Sequence, residues 1–151
     1  MVDILDVARY TLTLGPMTQR KLQILCFYMQ VWHIVFKGEK FMNTDFEAWM
    51  HGPTSERLYE RYYEWGALVI PQTTYSLYNL KLSEQDKAFI KGVYDLYKNY
   101  STEDMKILSK KETPYLLTRK NLPKDAPCKA VIHNEIIRNF YTEMLEEKDM
   151  T

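Results

Sequence analysis

The chain has 151 residues, of which 46% are hydrophobic and 14% aromatic, and this composition supports one helical domain that needs no disulfide or metal to fold. Its 20 basic and 20 acidic side chains cancel. A net charge of zero excludes the overall basic character of a nucleic-acid-binding protein and leaves at most a local basic patch.

The N-terminal stretch and the cysteines carry no sign of export. Asp3, Asp6 and Arg9 interrupt the apolar N-terminal residues, which is untypical of a signal peptide. No apolar run approaches the roughly 18 residues of a membrane span. Cys26 and Cys128 lie far apart and match no CxxC spacing, which indicates a reducing compartment. We therefore expect a cytoplasmic protein.

The first two predicted helices contain most of the expected core. Asp3 resembles the cap of a first helix that ends at Gly15 and Pro16. Thr18 caps a second helix over residues 18–37, which is apolar on nearly its whole circumference. A helix of this kind is enclosed by its neighbours, so we predict that it is the central buried helix. One narrow polar line runs along it through Gln23, Gln30 and Lys37.

The stretch after Gly38 predicts an extended or irregular connection and then a short helix. The connection ends in the Gly52-Pro53 pair, and Thr54 is expected to cap a helix over residues 54–65. Aromatic side chains cover much of the circumference of this helix. They are Tyr59, Tyr62, Tyr63 and Trp65.

The period of the sequence changes between residues 67 and 82. Three apolar residues precede Pro71, and Tyr78, Leu80 and Leu82 alternate with polar positions. This pattern is typical of two short strands. It predicts a small β-hairpin at about residues 67–82.

Helical signals return in the last half of the chain. Ser-x-x-Asp capping boxes at Ser83 and Ser101 predict the starts of two helices. Pro114 suits the first turn of the helix that follows them. A linker containing prolines follows at residues 122–129, and an amphipathic helix comes last.

Together these elements predict a mainly α fold. We expect a single compact helical domain over residues 1–146, built around the central helix and carrying the small hairpin. Residues 147–151 are expected to form an acidic C-terminal tail.

No motif in the sequence predicts catalysis. There is no glycine-rich phosphate loop, G-x-S-x-G, HExxH or paired CxxC. Asp45, Glu47 and His51 lie close in sequence, but no nucleophile or oxyanion donor accompanies them. Cys26 and His33 share a helix face without completing a zinc site. We therefore expect no enzymatic activity, no cofactor and no metal.

Charge is unevenly distributed near the C-terminus. Between residues 105 and 130, seven basic and two acidic side chains give a net charge of +5. Between residues 134 and 150, two basic and five acidic side chains give −3. The basic segment is either a solvated face or a surface that meets an acidic partner or nucleic acid, where it speeds encounter.

A series of short motifs runs along most of the chain, from about Val2 to Phe140. In order they are Lys21-Leu22-Gln23 with Tyr28 and Gln30, Glu47-Ala48-Trp49, Gly52-Pro53, Tyr59, Leu82-Ser83 and Glu112-Thr113-Pro114-Tyr115. Their order and spacing resemble the Panacea, or SocA-type, antitoxin family of bacteria and their phages.

Three positions depart from the pattern of that family. Thr54 stands where Val commonly follows Gly-Pro, and Tyr115 stands where Trp commonly follows Pro. A His that is common between residues 108 and 112 is missing. Its loss argues against catalysis or metal binding there and leaves a binding role intact.

The resemblance implies a non-enzymatic protein that neutralises a co-encoded toxin by direct binding. Aromatic and arginine side chains are typical anchors of such interfaces. The expected anchors and turn residues are Trp49, Gly52, Pro53, Tyr59, Tyr62, Tyr63 and Trp65, and the expected steering charges are Lys110, Lys111, Arg119 and Lys120. For Trp49 and Tyr62 the alternative is a place in the core.

Two alternative functions remain open at this point. One family member delivers its toxin to a protease, so a protease adaptor is the first alternative. The basic segment suggests a DNA-binding autoregulator as the second. The sequence leaves the oligomeric state open.

Overall fold

A computed structural model describes residues 1–73 and 77–149, and within them the fold is mainly α, as predicted. The helices are, in chain order, α1 (Ile4–Leu14), α2 (Gln19–Lys37), α3 (Glu56–Tyr62), α4 (Glu84–Tyr97), α5 (Thr102–Lys111), α6 (Thr113–Arg119) and α7 (Asn134–Asp149). A 3-10 turn, Tyr63–Trp65, follows α3 directly. The helix α7 continues to Asp149, so most of the expected acidic tail is helical.

The central helix is confirmed. Thr18 accepts a hydrogen bond from the Lys21 N–H at 3.2 Å, and Gly38 ends α2 in the left-handed conformation that favours glycine. Between Leu22 and Trp32 every residue of α2 is buried. The helix packs against α1, α4, α5 and α7, which accounts for its lack of a solvated face.

Strand pairing differs from the predicted hairpin. The strand β4 (Val69–Ile70) does form, but its antiparallel partner is β1 (Met17–Thr18). Residues 77–82 form turns and coil, and residues 74–76 lie outside the described residues. The apolar run before Pro71 indicates an extended segment, but a local pattern cannot select a partner that lies about 50 residues away in the chain. The alternation at Tyr78, Leu80 and Leu82 does not correspond to a strand.

A hairpin occurs at residues 47–54, within the stretch predicted to be an extended or irregular connection. Its strands are β2 (Glu47–Trp49) and β3 (Gly52–Thr54), and Trp49 pairs with Gly52. Thr54 therefore lies in a strand, and Ser55 is the residue before α3. The prediction that Thr54 caps the helix is wrong because its backbone is committed to the hairpin. We call this element the 47–54 hairpin.

The polar line of α2 holds the connection that leads to the 47–54 hairpin. The Gln30 side-chain oxygen accepts hydrogen bonds from the N–H groups of Phe41 at 2.9 Å and Met42 at 2.8 Å. Gln23 makes two bonds to the backbone of Ser55, both at 2.9 Å. All these groups are buried. The glutamines thus supply backbone partners that an irregular segment lacks.

Replacing Gln30 with alanine is expected to destabilise the fold by about 2–4 kcal/mol, because two buried N–H groups lose their acceptor. The exposed Gln85 of α4 offers a matched control, and Gln85→Ala should change stability by less than about 0.5 kcal/mol. Urea unfolding followed by circular dichroism measures both. Equal effects of the two substitutions would show that water replaces the Gln30 amide.

Candidate functional site

The 47–54 hairpin carries three of the residues that the sequence predicts for partner binding, Trp49, Gly52 and Pro53. Gly52 has a φ of 126°, and a Cβ there would approach Ile24 Cδ1 to 3.3 Å. This position therefore favours glycine. Gly52 and Pro53 are both buried. They shape the turn and present little surface to a partner.

Three aromatic side chains form a chain of ring contacts beside the hairpin, and we call them the aromatic cluster: Trp49, Tyr59 and Tyr63. Ring centroids are 5.0 Å apart between Trp49 and Tyr59 and 5.9 Å apart between Tyr59 and Tyr63. The Trp49 indole donates to Glu47 Oε1 at 2.7 Å, and Lys129 Nζ lies 5.5 Å from the Trp49 ring. Tyr63 is 51% exposed, so the outer end of the cluster is open to a partner.

Tyr62 and Trp65 do not join this cluster. Tyr62 is only 6% exposed and belongs to the core, and Trp65 is half-buried against the core. The Arg61 guanidinium covers the Tyr62 ring at 4.9 Å. Of the aromatic residues of the predicted 54–65 helix, Tyr59 and Tyr63 alone therefore lie beside Trp49.

The predicted steering lysines line a groove between α5, α6 and the residues after α6. The groove has a volume of about 490 Å³. We call it the basic groove and define it by its lining charges and apolar side chains. These are Glu103, Lys106, Ile107, Lys110, Lys111, Tyr115, Leu116, Arg119, Lys120, Leu122 and Lys124.

Arg119 has a structural place instead of a steering one. It is 5% exposed, and its guanidinium donates to the carbonyls of Ala48 at 2.9 Å, Pro123 at 2.8 Å and Ala126 at 2.7 Å. Its charge is thus satisfied inside the fold. The side chain connects the 47–54 hairpin to the linker, and no local pattern in the sequence indicates these carbonyl partners.

The turn of the 47–54 hairpin connects the aromatic cluster to the basic groove. The Tyr115 hydroxyl donates to the Trp49 carbonyl at 2.5 Å. On the other side of the turn, burial and the charges of Lys106, Arg20 and Lys110 lower the pKa of His51. Trp49 and His51 line one pocket, and the 47–54 hairpin packs against α5 and α6, so the aromatic cluster and the basic groove lie next to the same hairpin.

Sequence reasoning missed several residues that lie in the basic groove or beside the aromatic cluster. From the sequence, Lys106, Lys124 and Lys129 enter the net charge of the basic segment but are not predicted as binding residues. Ile107 and Leu116 are not predicted as binding residues either. The four-residue spacing of Lys106 and Lys110 on α5 was the one signal available. Their neighbours in the groove come from another helix and a loop.

The residues considered for catalysis do not converge. Asp45 pairs with Lys40 at 3.2 Å, Glu47 accepts from Trp49, and His51 faces cationic neighbours. Cys26 is fully buried. Among the described side chains, no group of three or more His, Cys, Asp or Glu is arranged to hold a metal ion.

Glu112 is an ionisable group that lies buried in the core. Glu112 Oε1 accepts from the hydroxyls of Tyr28 and, at 2.8 Å, Tyr141. Burial raises the pKa of Glu112 above its ordinary value of 4.5, and the two hydroxyl donors oppose that rise. The basic groove does not reach this carboxyl. The cluster joins α2, α6 and α7 from within and is a packing element.

A family model described as "Antitoxin SocA-like, Panacea domain" matches residues 22–115. The match covers the central helix, the 47–54 hairpin, the aromatic cluster and the α5 side of the groove. No curated protein and no solved structure matches the chain. No helix within the described ranges is both long and apolar enough to cross a membrane.

The Glu112 cluster predicts a pH-dependent stability. Because the folded state raises the pKa of Glu112, its stabilising contribution is complete below about pH 4.5 and is lost as pH rises through the folded-state value. Glu112→Gln removes this ionisation. Its free energy of unfolding should therefore increase relative to wild type as pH rises above about 4.5, by at most about 1.4 kcal/mol per pH unit.

Urea unfolding between pH 4 and pH 8 measures this difference. Tyr141→Phe removes a donor that favours the ionised carboxylate, so it should move the loss of stability to higher pH. A stability difference between Glu112→Gln and wild type that does not change with pH would contradict the assignment.

Proposed function

The chain belongs to the SocA-like antitoxin family with a Panacea domain, and we propose that it neutralises a toxin encoded next to it by binding that toxin directly. Membership in an antitoxin family implies a protein toxin as the partner. In this proposal the chain acts in the cytoplasm without catalysis or cofactor. The face formed by the aromatic cluster, the hairpin turn and the basic groove is the binding surface.

The observation that carries this proposal is the exposed end of the aromatic cluster, next to a hairpin that packs against the two helices of the basic groove. The exposed ring of Tyr63 contacts the ring of Tyr59, which in turn packs against Trp49. A pre-positioned aromatic side chain loses little conformational freedom on binding, which favours it as an anchor. Charges at the rim of an interface act mainly on the rate of association, and Lys111 and Lys120 are exposed there.

Co-expression tests the function. The neighbouring open reading frame should stop growth when it is expressed alone, and co-expression of this chain should restore growth. Purified chain and toxin should form a complex that survives gel filtration. Absence of toxicity, or toxicity that the chain does not relieve, would reject the proposal.

The amount of toxin separates direct neutralisation from the protease-adaptor alternative. Blocking leaves the toxin half-life unchanged, whereas an adaptor shortens it when the protease is present. A DNA-binding autoregulator would instead retard its own promoter fragment in a salt-sensitive manner.

Tyr63 and Tyr62 form a matched pair of neighbours with opposite surroundings. Tyr63→Ala should weaken toxin binding at least about tenfold while the melting temperature changes little, because the ring is half exposed and anchors the partner. Tyr62→Ala should cost about 3 kcal/mol of stability or more, because it leaves a cavity in the core. Isothermal titration and thermal unfolding measure the two effects. The reverse order would place Tyr63 in the core and reject the binding face.

A further inference from the structure

The floor of the basic groove is apolar. Ile107, Leu116 and Leu122 line it, and they are 56%, 51% and 47% exposed. Single exposed aliphatic side chains are common on protein surfaces. Here three of them, from α5, α6 and the residues after α6, converge in one cavity. Such convergence is typical of a surface that receives apolar side chains of a partner.

The walls of the groove are cationic. Of its five lysines, Lys106 lies 3.7 Å from Glu103. Among the described residues, none of Lys110, Lys111, Lys120 and Lys124 forms an ion pair. Burial and the charges of Lys106, Arg119 and Lys124 lower the pKa of Lys110. The lysines repel one another, and an anionic partner would relieve that repulsion.

We propose that the basic groove binds an acidic amphipathic segment of the toxin. Apolar side chains of the segment pack on Ile107, Leu116 and Leu122, and its carboxylates pair with the lysines of the walls. Naming the toxin as the source rests on the proposed function. The chemistry of the segment follows from the groove alone.

The groove fits a peptide better than a nucleic acid. Single-stranded nucleic acids combine cationic grooves with exposed aromatic rings on which bases stack. The exposed lining of this groove is aliphatic, and its one aromatic residue, Tyr115, is buried and donates its hydroxyl to the Trp49 carbonyl. Aliphatic side chains between lysines match a helix that carries leucines on one stripe and glutamates beside it.

The groove also lies next to the rest of the binding face. Lys106 and Lys110 act electrostatically on His51 at the turn of the 47–54 hairpin. The 47–54 hairpin packs against both α5 and α6, so a segment seated between these helices lies next to the hairpin that carries Trp49. The groove then supplies binding energy in addition to the attraction of its charges over longer distances.

Fluorescence anisotropy on the full chain tests the groove with defined probes. The first probe is a labelled peptide of about 14 residues with leucines at helical spacing and glutamates elsewhere. The second replaces the leucines with serines, and the third replaces the glutamates with lysines. The leucine–glutamate peptide should bind at least about tenfold more tightly than the serine peptide, and the lysine peptide should not bind.

Variants of the chain locate the binding. Leu116→Ser should lower the affinity for the leucine–glutamate peptide about tenfold or more. Lys110→Glu should also lower this affinity, and its effect should be strongest at low salt. Leu68→Ser and Lys37→Glu serve as controls, because these residues are exposed and do not line the groove. All four variants should keep the wild-type melting temperature.

Several results would overturn the proposal. They are equal affinity for the leucine and serine peptides, no peptide binding, binding unaffected by Leu116→Ser, and tighter binding of a single-stranded RNA oligonucleotide than of any peptide. Growth rescue separates the two proposals. Full rescue by Leu116→Ser without peptide binding rejects the groove as the toxin site and leaves the antitoxin function standing. Peptide binding without rescue by wild type rejects the toxin as the source.

Discussion

Two glutamine side chains on the central helix hold the segment that carries the proposed binding face. Gln30 bonds the backbone of Phe41 and Met42, and Gln23 bonds the backbone of Ser55. Residues 41–46, which lead into the hairpin, belong to no helix and to neither of its strands, so the buried N–H groups of Phe41 and Met42 need side-chain acceptors. Within the described residues, no buried side-chain nitrogen or oxygen is left without a partner. The position of the 47–54 hairpin follows from these bonds.

Two positions that depart from the family pattern add polar links to the same hairpin. Thr54 stands where Val is common, and its hydroxyl accepts from Arg20 at 2.7 Å and donates to the Gly52 carbonyl at 3.0 Å. Tyr115 stands where Trp is common, and its hydroxyl donates to the Trp49 carbonyl. Both hydroxyls hold the backbone of the hairpin turn, because they donate hydrogen bonds to the carbonyls of Gly52 and Trp49. A turn held in this way presents its aromatic cluster with little loss of freedom on binding.

The third departure changes the charge of the face. Where the family commonly has a His, this chain has Ser109-Lys110-Lys111. Ser109 is buried, while both lysines line the basic groove. A shared fold does not fix the partner, because the side chains at the site decide what binds. Lysines above an aliphatic floor favour an acidic amphipathic partner segment over a neutral one.

Features that depend on near neighbours in the chain can be predicted from the amino-acid sequence. The Ser83 and Ser101 capping boxes, the enclosed character of α2 and its end at Gly38 are all present, because caps and periodicity act within a few residues. Features that depend on contacts between residues far apart in the chain become visible in the folded protein alone. Arg119 and the Glu112 cluster are buried because partners from other elements satisfy them. The pairing of β4 with β1 and the convergence of the groove likewise join segments that no local pattern relates.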